Sequence, residues 1–242
     1  MTKRLTLLAA AMVLFSLILA PANTARRPPK SASVSPQAAK SPDLSGVWYM
    51  HGKFGVNRDL SPGANLPLTP WGMERMKENQ RELNPDLRCL PPGVPRMWTL
   101  PFPFEIIQLP GRVLIHYEQD SIVRDIHLDG RAHSAELPLY TGDSTGKYEG
   151  DTLVVDTTEF NDKTWLDSAA HPHSDQLHLI ERIRRPSHDV LQVEMTIDDP
   201  KTYSKPWKAE RVFDLKPDWE ISEIVCEENN TYLNAPDAPA DK

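Results

Sequence analysis

The chain has 242 residues, of which 39% are hydrophobic and 25% are charged, and its formal net charge at neutral pH is −7. These proportions are typical of a globular protein and exclude a collagen, a coiled coil and a wholly disordered chain. A net negative charge provides no positive field for phosphate groups, so a nucleic-acid partner is not expected.

The N-terminal segment has the organisation of a secretory signal peptide. Lys3 and Arg4 precede an apolar run over residues 5–19, and Ala20 and Ala22 occupy the −3 and −1 positions of a cleavage site. The run is shorter than the roughly 20 apolar residues that span a bilayer, so stable membrane insertion after signal removal is not expected. Cleavage removes two positive charges and changes the net charge from −7 to −9, which disfavours anionic membrane surfaces.

Composition divides the rest of the chain into three parts. Residues 23–42 are rich in Pro, Ser, Ala and Lys and are predicted to form a disordered linker. Residues 43–233 are predicted to form a single domain, since about 190 residues suffice for one sizeable core but not for two. Residues 234–242 repeat Ala, Pro and Asp and are predicted to be a disordered tail.

Cys89 and Cys226 are the two cysteines of the chain. In an oxidising compartment, two cysteines so far apart in sequence are expected to form a disulfide. They lack the C-x-x-C spacing of a redox site. Together with the signal peptide, they predict a periplasmic or secreted protein.

Hydrophobic and polar residues alternate with a period of two through much of the chain, as in half-buried antiparallel strands. The predicted strands cover residues 46–50, 104–109, 112–118, 122–128, 152–157, 176–185, 191–197, 207–215 and 219–225. The glycine-rich segment 142–146 is predicted to be a turn. About eight or nine short strands with few helices indicate an all-β fold, either a closed antiparallel barrel or a sandwich.

One short helix interrupts this pattern. Thr69 is predicted to cap it and Pro70 to occupy its first position, and Asn84 before Pro85 is predicted to end it. Residues 87–104 contain five prolines and are predicted to form a long, irregular loop.

Residues 43–48, DLSGVW, resemble the G-x-W start of the lipocalin-like, or calycin, barrels. The resemblance implies an antiparallel barrel in which Trp48 lies on the first strand and closes one end. The helix and the proline-rich loop depart from the typical lipocalin pattern and leave the strand order open.

A longer set of motifs resembles a family of exported bacterial proteins of unassigned activity. The motifs are PPGVPR (91–96), DGRAH (129–133), YEGDTLVVDT (148–157), HSDQLH (173–178) and DPKTY (199–203). The resemblance spans residues 44–230 and implies a single exported domain. It implies no reaction.

Glu181 interrupts the apolar face of the predicted strand over residues 176–185. A carboxylate on an inward face acts in proton transfer, or it forms a structural ion pair, with Arg124 or Arg211 as possible partners. His178 lies on the opposite face of the same strand, so Glu181 and His178 cannot both point inward.

Histidine and carboxylate side chains exchange protons near neutral pH without a cofactor. The candidate acid and base residues are Glu181, His178, His133 and His127. The candidate substrate-binding residues are Arg182 and Arg131 for an anionic group, and Trp98 and Phe102 for the mouth of a cavity. For the two aromatic residues, packing against the barrel end is an equal alternative.

A metal site is a further hypothesis. His171 and His173 are two residues apart on an extended segment, so their imidazoles, with His178, could hold one transition metal ion. The alternative is a polar loop ahead of a strand.

The sequence contains no nucleophile elbow, Walker, H-E-x-x-H or Rossmann motif. Our leading hypothesis is an exported barrel enzyme that performs cofactor-independent acid–base chemistry of the lyase, isomerase or hydratase type on a small apolar or aromatic substrate. The alternatives are a periplasmic carrier of a small hydrophobic ligand and a metal-dependent enzyme that uses the histidine cluster.

Overall fold

The structure is a computed structural model that describes residues 42–52, 59–60, 65–79, 84–134 and 138–229. The predicted signal peptide, the linker up to residue 41 and the predicted tail lie outside these residues. Within them, no helix has both the length and the apolar character needed to cross a membrane.

The described strands close into a barrel in which each strand pairs with its neighbours in chain order. They are β1 (Gly46–Met50), β2 (Phe104–Leu109), β3 (Arg112–Tyr117), β4 (Val123–His127), β5 (Asp143–Glu149), β6 (Thr152–Thr158), β7 (His178–Ser187), β8 (Val190–Asp198) and β9 (Trp207–Leu215). All pairs are antiparallel except β4 with β5, which run in parallel. One parallel pair is required because nine strands of alternating direction cannot close a ring without it.

The predicted all-β barrel is confirmed, and it is mixed rather than purely antiparallel. The predicted turn over residues 142–146 is wrong, since most of this segment belongs to β5. The alternating hydrophobic pattern is absent there because small residues occupy inward positions. Gly146, for example, lies against Ile126, and a Cβ atom at this glycine would be 2.9 Å from the Ile126 side chain.

The predicted strand over residues 219–225 is also wrong. This segment is irregular and leads into the short helix α2 (Cys226–Asn229). Its apolar residues alternate as in a strand, but both edges of β9 already pair with β8 and β1. A tenth segment therefore has no free edge of β9 to join.

The predicted helix is α1 (Pro70–Glu78). The hydroxyl oxygen of Thr69 accepts a hydrogen bond from the backbone N–H of Gly72 at 3.1 Å, as expected of an N-cap. The helix ends at Glu78, several residues before the predicted end at Asn84.

The two ends of the barrel differ in the length of their connections. Residues 110–111, 150–151 and 188–189 form short turns at one end. The other end, which we call the loop end, carries the long connections over residues 51–103, 159–177 and 199–206. Long loops on a rigid barrel are the usual place for binding and catalytic groups.

Inward-facing side chains fill the barrel interior. Trp98 enters from the proline-rich loop at the loop end and is fully buried. Its ring centre lies 5.0 Å from that of Phe104, 5.7 Å from that of Tyr117 and 5.6 Å from that of Phe213. Such aromatic clusters bury large apolar areas and stabilise a core.

Cys89 and Cys226 form the predicted disulfide, with their Cα atoms 5.6 Å apart. The bond joins the chain after the 3₁₀ helix Pro85–Arg88 to the start of α2. It is compatible with an oxidising compartment outside the cytoplasm.

Candidate functional site

Glu181 and Arg124 form an ion pair inside the barrel, and each side chain is at most 1% exposed. The Glu181 carboxylate accepts hydrogen bonds from both terminal nitrogens of Arg124, one of them at 2.9 Å, and from the indole N–H of Trp98 at 2.6 Å. Arg124 also donates to the hydroxyls of Ser144 at 3.1 Å and Thr157 at 2.9 Å. This geometry matches the structural ion pair, one of the two alternatives that the sequence left open.

The environment of Arg124 favours its charged form. Burial opposes the positive charge, but the adjacent carboxylate of Glu181 outweighs it and raises the pKa of Arg124 above its usual value. Glu181 therefore accepts three hydrogen bonds from fixed protein donors in the interior.

Two of the candidate histidines meet on the outer surface of the barrel. The Nε2 atoms of His178 and His133 lie 3.0 Å and 3.1 Å, respectively, from the same oxygen, Oδ1, of Asp156. The side chains of Asp156, His178 and His133 are 44%, 41% and 24% exposed, so small molecules in solvent can reach them. We call these three residues the histidine–aspartate cluster.

Strand geometry explains two members of this cluster. Side chains alternate between the faces of a strand, so the buried neighbours Val155 and Leu179 point inward while Asp156 and His178 point outward. Asp156 pairs in register with Ile180 across β6 and β7. Asp156 and His178 are therefore diagonal neighbours on adjacent antiparallel strands.

The third member, His133, comes from the connection between β4 and β5 and lies between two carboxylates. Its Nδ1 atom is 3.6 Å from Asp143, on the ring edge opposite the contact with Asp156. Both ring nitrogens of His133 therefore face protein carboxylates.

Asp143 is itself held as a carboxylate. It accepts hydrogen bonds from the backbone N–H of Ser134 at 2.8 Å and from Arg131 at 2.7 Å. Burial raises the pKa of Asp143, but these two donors and the nearby His133 outweigh it and hold the pKa below its usual value. Arg131, a predicted substrate-binding residue, is thus placed next to the histidine–aspartate cluster.

His178 has one nitrogen engaged with protein. Its Nε2–H group donates to Asp156, which leaves Nδ1 as the proton-accepting nitrogen. Among the described residues, Nδ1 has no hydrogen-bond partner. A carboxylate behind one nitrogen fixes the tautomer and the orientation of the ring, as in many general bases.

Two other predicted residues lie on the outer surface, outside the cluster. His127 is on β4, in register with Thr145 of β5, and its Nε2 atom is 3.7 Å from Asp125. Arg182 is on β7 and donates to Glu149 at 3.0 Å. His127 is therefore separated from Asp156 by one strand, β5, because Thr145 pairs in register with both residues. Arg182 is engaged in a surface ion pair.

The two predicted mouth residues differ in exposure. Trp98 is enclosed in the core and donates to Glu181, which matches the packing alternative. Phe102 is partly buried and lies just before β2.

The three histidines of the metal hypothesis do not converge. His171 is 2.7 Å from Asp167, His173 is 2.6 Å from the hydroxyl of Thr164, and His178 belongs to the histidine–aspartate cluster. In the described ranges, no group of three or more His, Cys, Asp or Glu residues is arranged to hold a metal ion.

Sequence reasoning missed Asp156 and Asp143 as site residues. Asp156 is a polar residue on the outer face of a strand, a pattern shared by every solvated strand face. Asp143 falls in the segment that was predicted to be a turn. Only the pairing of β5, β6 and β7 places the two carboxylates beside His133 and His178.

Comparison with known proteins adds no family assignment. No protein-family model matches the chain, and no curated protein matches it significantly. A function is therefore inferred from the geometry of the histidine–aspartate cluster.

Proposed function

We propose that the protein is an exported β-barrel enzyme that performs cofactor-independent acid–base chemistry, of the lyase, isomerase or hydratase type, on a small substrate. The observation that carries this proposal is the single Asp156 oxygen 3.0 Å from His178 and 3.1 Å from His133. The carboxylate orients the His178 ring, which leaves Nδ1 of His178 as a proton acceptor that a substrate can reach.

Each ring has a distinct role. His178 accepts a proton from the substrate at Nδ1, because its Nε2–H group is engaged with Asp156. His133 contacts Asp156 through Nε2 at 3.1 Å and is a positioning residue that holds Asp156 from the other side. Asp156 is a positioning residue that orients both rings.

The proton balance closes without an external acceptor or donor other than water. The substrate loses one proton to Nδ1 of His178 and gains one from the protonated His178 ring or from water. The His178 ring is partly exposed, so it returns to its starting state by exchange with solvent.

The residues around the histidine–aspartate cluster indicate the kind of substrate it would take. The side chain of Arg131 is 39% exposed while it donates to Asp143, so part of its guanidinium faces solvent and is available to an anionic or carbonyl oxygen. Ile180, partly buried, lies on the same outer face and opposite Asp156 in the register. These neighbours favour a small apolar or aromatic compound that carries one such oxygen group.

Packing favours an enzyme over an interior carrier. A carrier of the lipocalin type holds its ligand inside the barrel, whereas here Trp98 and its aromatic neighbours occupy the interior at the loop end. The disulfide supports the periplasmic or secreted location that the signal peptide predicts.

The experiment is proton exchange into candidate substrates. The protein without its predicted signal peptide is incubated in D₂O with a panel of small aromatic ketones and hydroxy acids, and deuterium incorporation is followed by ¹H NMR. His178→Gln is expected to lower the exchange rate by about 10²–10⁴-fold, the usual contribution of a general base. His133→Gln removes a contact that positions Asp156 and is expected to lower the rate by a smaller factor.

His188→Gln is the matched control. His188 also contacts an aspartate, Asp189, at 2.6 Å, but at the exposed turn between β7 and β8. The rate of deuterium exchange catalysed by His188→Gln is expected to equal that of the natural protein. Catalysed exchange that persists in His178→Gln, or that is lost equally in His188→Gln, contradicts the proposal.

A further inference from the structure

A pocket of about 360 Å³ opens at the loop end, and none of its lining residues belongs to the histidine–aspartate cluster. It lies between the second half of α1, residues 162–165 and residues 172–173. Its volume is in the lower part of the range of about 300–1,000 Å³ for small-molecule sites.

The floor of the pocket is buried and carries no charge. The hydroxyl of Thr164 donates to Nε2 of His173 at 2.6 Å, and the Nδ1–H group of His173 donates to the carbonyl oxygen of Ser174 at 3.1 Å. Burial lowers the pKa of His173, so its ring is neutral near pH 7. Trp165 and Pro172 add apolar surface beside this pair.

The rim carries two cations and two carboxylates. Arg75 donates to Glu78 at 3.3 Å and to the backbone oxygen of Asp162 at 3.4 Å. Among the described residues, the side chains of Asp162 and Lys163 have no hydrogen-bond or ion-pair partner. The four formal charges sum to zero, so the rim has no net attraction for a simple anion or a simple cation.

We propose that this pocket binds a neutral, polyhydroxylated ligand of about the size of a monosaccharide. Each hydroxyl of such a ligand both donates and accepts a hydrogen bond. The rim offers donors at Arg75 and Lys163 and acceptors at Asp162 and Glu78, which match hydroxyls of this kind. The C–H faces of the ligand match the apolar surface of Trp165.

The oxygen of Thr164 strengthens this assignment. Because its proton is directed to His173, the lone pairs of the oxygen remain to accept a hydrogen bond from the ligand. A quaternary zwitterion such as glycine betaine would satisfy the rim charges but has no N–H or O–H group to donate to this acceptor.

The test is a binding measurement on the protein without its predicted signal peptide. Glucose, galactose, mannose and xylose are the neutral probes, and glycine betaine and acetate are the charged probes, each followed by isothermal titration calorimetry and saturation-transfer-difference NMR. At least one monosaccharide is expected to bind with one-to-one stoichiometry. Asp162→Ala and Lys163→Ala are each expected to weaken binding about tenfold, as for the loss of a hydrogen bond to a charged group.

Lys208→Ala is the matched control, because Lys208 is an exposed lysine on β9 that does not line the pocket. It is expected to keep the affinity of the natural protein. Asp162 and Lys163 are both exposed, so their variants should remain folded, which thermal unfolding verifies. The proposal is overturned if no monosaccharide binds, if only betaine or acetate binds, or if sugar binding is unaffected by Asp162→Ala and Lys163→Ala.

Discussion

Replacing Glu181 by Gln tests whether its buried pair with Arg124 stabilises the fold. The amide keeps the size of the side chain and an oxygen acceptor for Trp98, but it leaves the guanidinium buried without a counter-charge. Removing one partner of a buried ion pair costs about 3–5 kcal/mol. This is a large share of the roughly 5–15 kcal/mol by which domains are usually stable.

The double variant Arg124→Met with Glu181→Leu separates the pair from its neighbours. It removes both charges together, so no uncompensated charge stays in the core. The hydroxyls of Ser144 and Thr157 can still bond to each other at 3.1 Å, whereas the indole N–H of Trp98 loses its acceptor at a cost of about 1–3 kcal/mol. The double variant is therefore expected to be more stable than Glu181→Gln or Arg124→Met alone.

The assays are urea-induced unfolding and thermal unfolding, both followed by tryptophan fluorescence with the disulfide intact. A loss of about 3–5 kcal/mol corresponds to a decrease in Tm of about 6–20 °C for a domain of this size. Glu194→Gln, an exposed carboxylate on β8, is the control and is expected to change the free energy of unfolding by less than about 0.5 kcal/mol. The reasoning is refuted if Glu181→Gln is as stable as Glu194→Gln, or if the double variant is no more stable than Glu181→Gln and Arg124→Met.

Three further predictions concern the disulfide and two titrating groups. Replacing Cys89 and Cys226 together by Ser removes a cross-link over 137 residues. The free energy of unfolding is expected to fall by up to about 5 kcal/mol in the chain-entropy model. An unchanged midpoint of urea unfolding argues against this. The pKa of Asp143 lies below its unfolded value, so its stabilising contribution is complete above about pH 4 and is lost as the pH falls through the native pKa. Asp143→Asn should therefore flatten the acid limb of the stability curve, and an identical limb contradicts the assignment. Burial lowers the pKa of His173, so the unfolded chain binds the extra proton first and the free energy of unfolding falls as the pH decreases from about 6.5 toward the native pKa. His173→Gln should reduce that slope in urea titrations at successive pH values, and an unchanged slope rules out this contribution.

Much of the barrel was accessible from the sequence. Alternation located eight of the strands, and the threonine and proline at positions 69 and 70 located the start of α1. The strand β5 escaped because Ser144 and Gly146 occupy inward positions where the pattern expects large apolar residues. The false strand at residues 219–225 had the right pattern but no free edge of β9 to pair with.

The candidate site was accessible only in part. His178 and His133 were selected as titratable side chains in motifs, but nothing in their spacing joins them to Asp156. The pocket residues Arg75, Asp162 and Lys163 were not selected at all, because charged residues on a helix and in a loop are most often solvated.

The sequence by itself determined eight of the nine strands and the opposite orientation of Glu181 and His178, since period-two alternation is a local property of a chain. Tertiary structure decided which side chains meet. Arg124 contacts Glu181 across the closed interior. His133 contacts Asp156 from the connection between β4 and β5, on the outside of the sheet. These contacts depend on strand register and on the pairing of β9 with β1, which closes the barrel. Register and closure are determined by the energy of the whole barrel, so no single segment of the sequence predicts them.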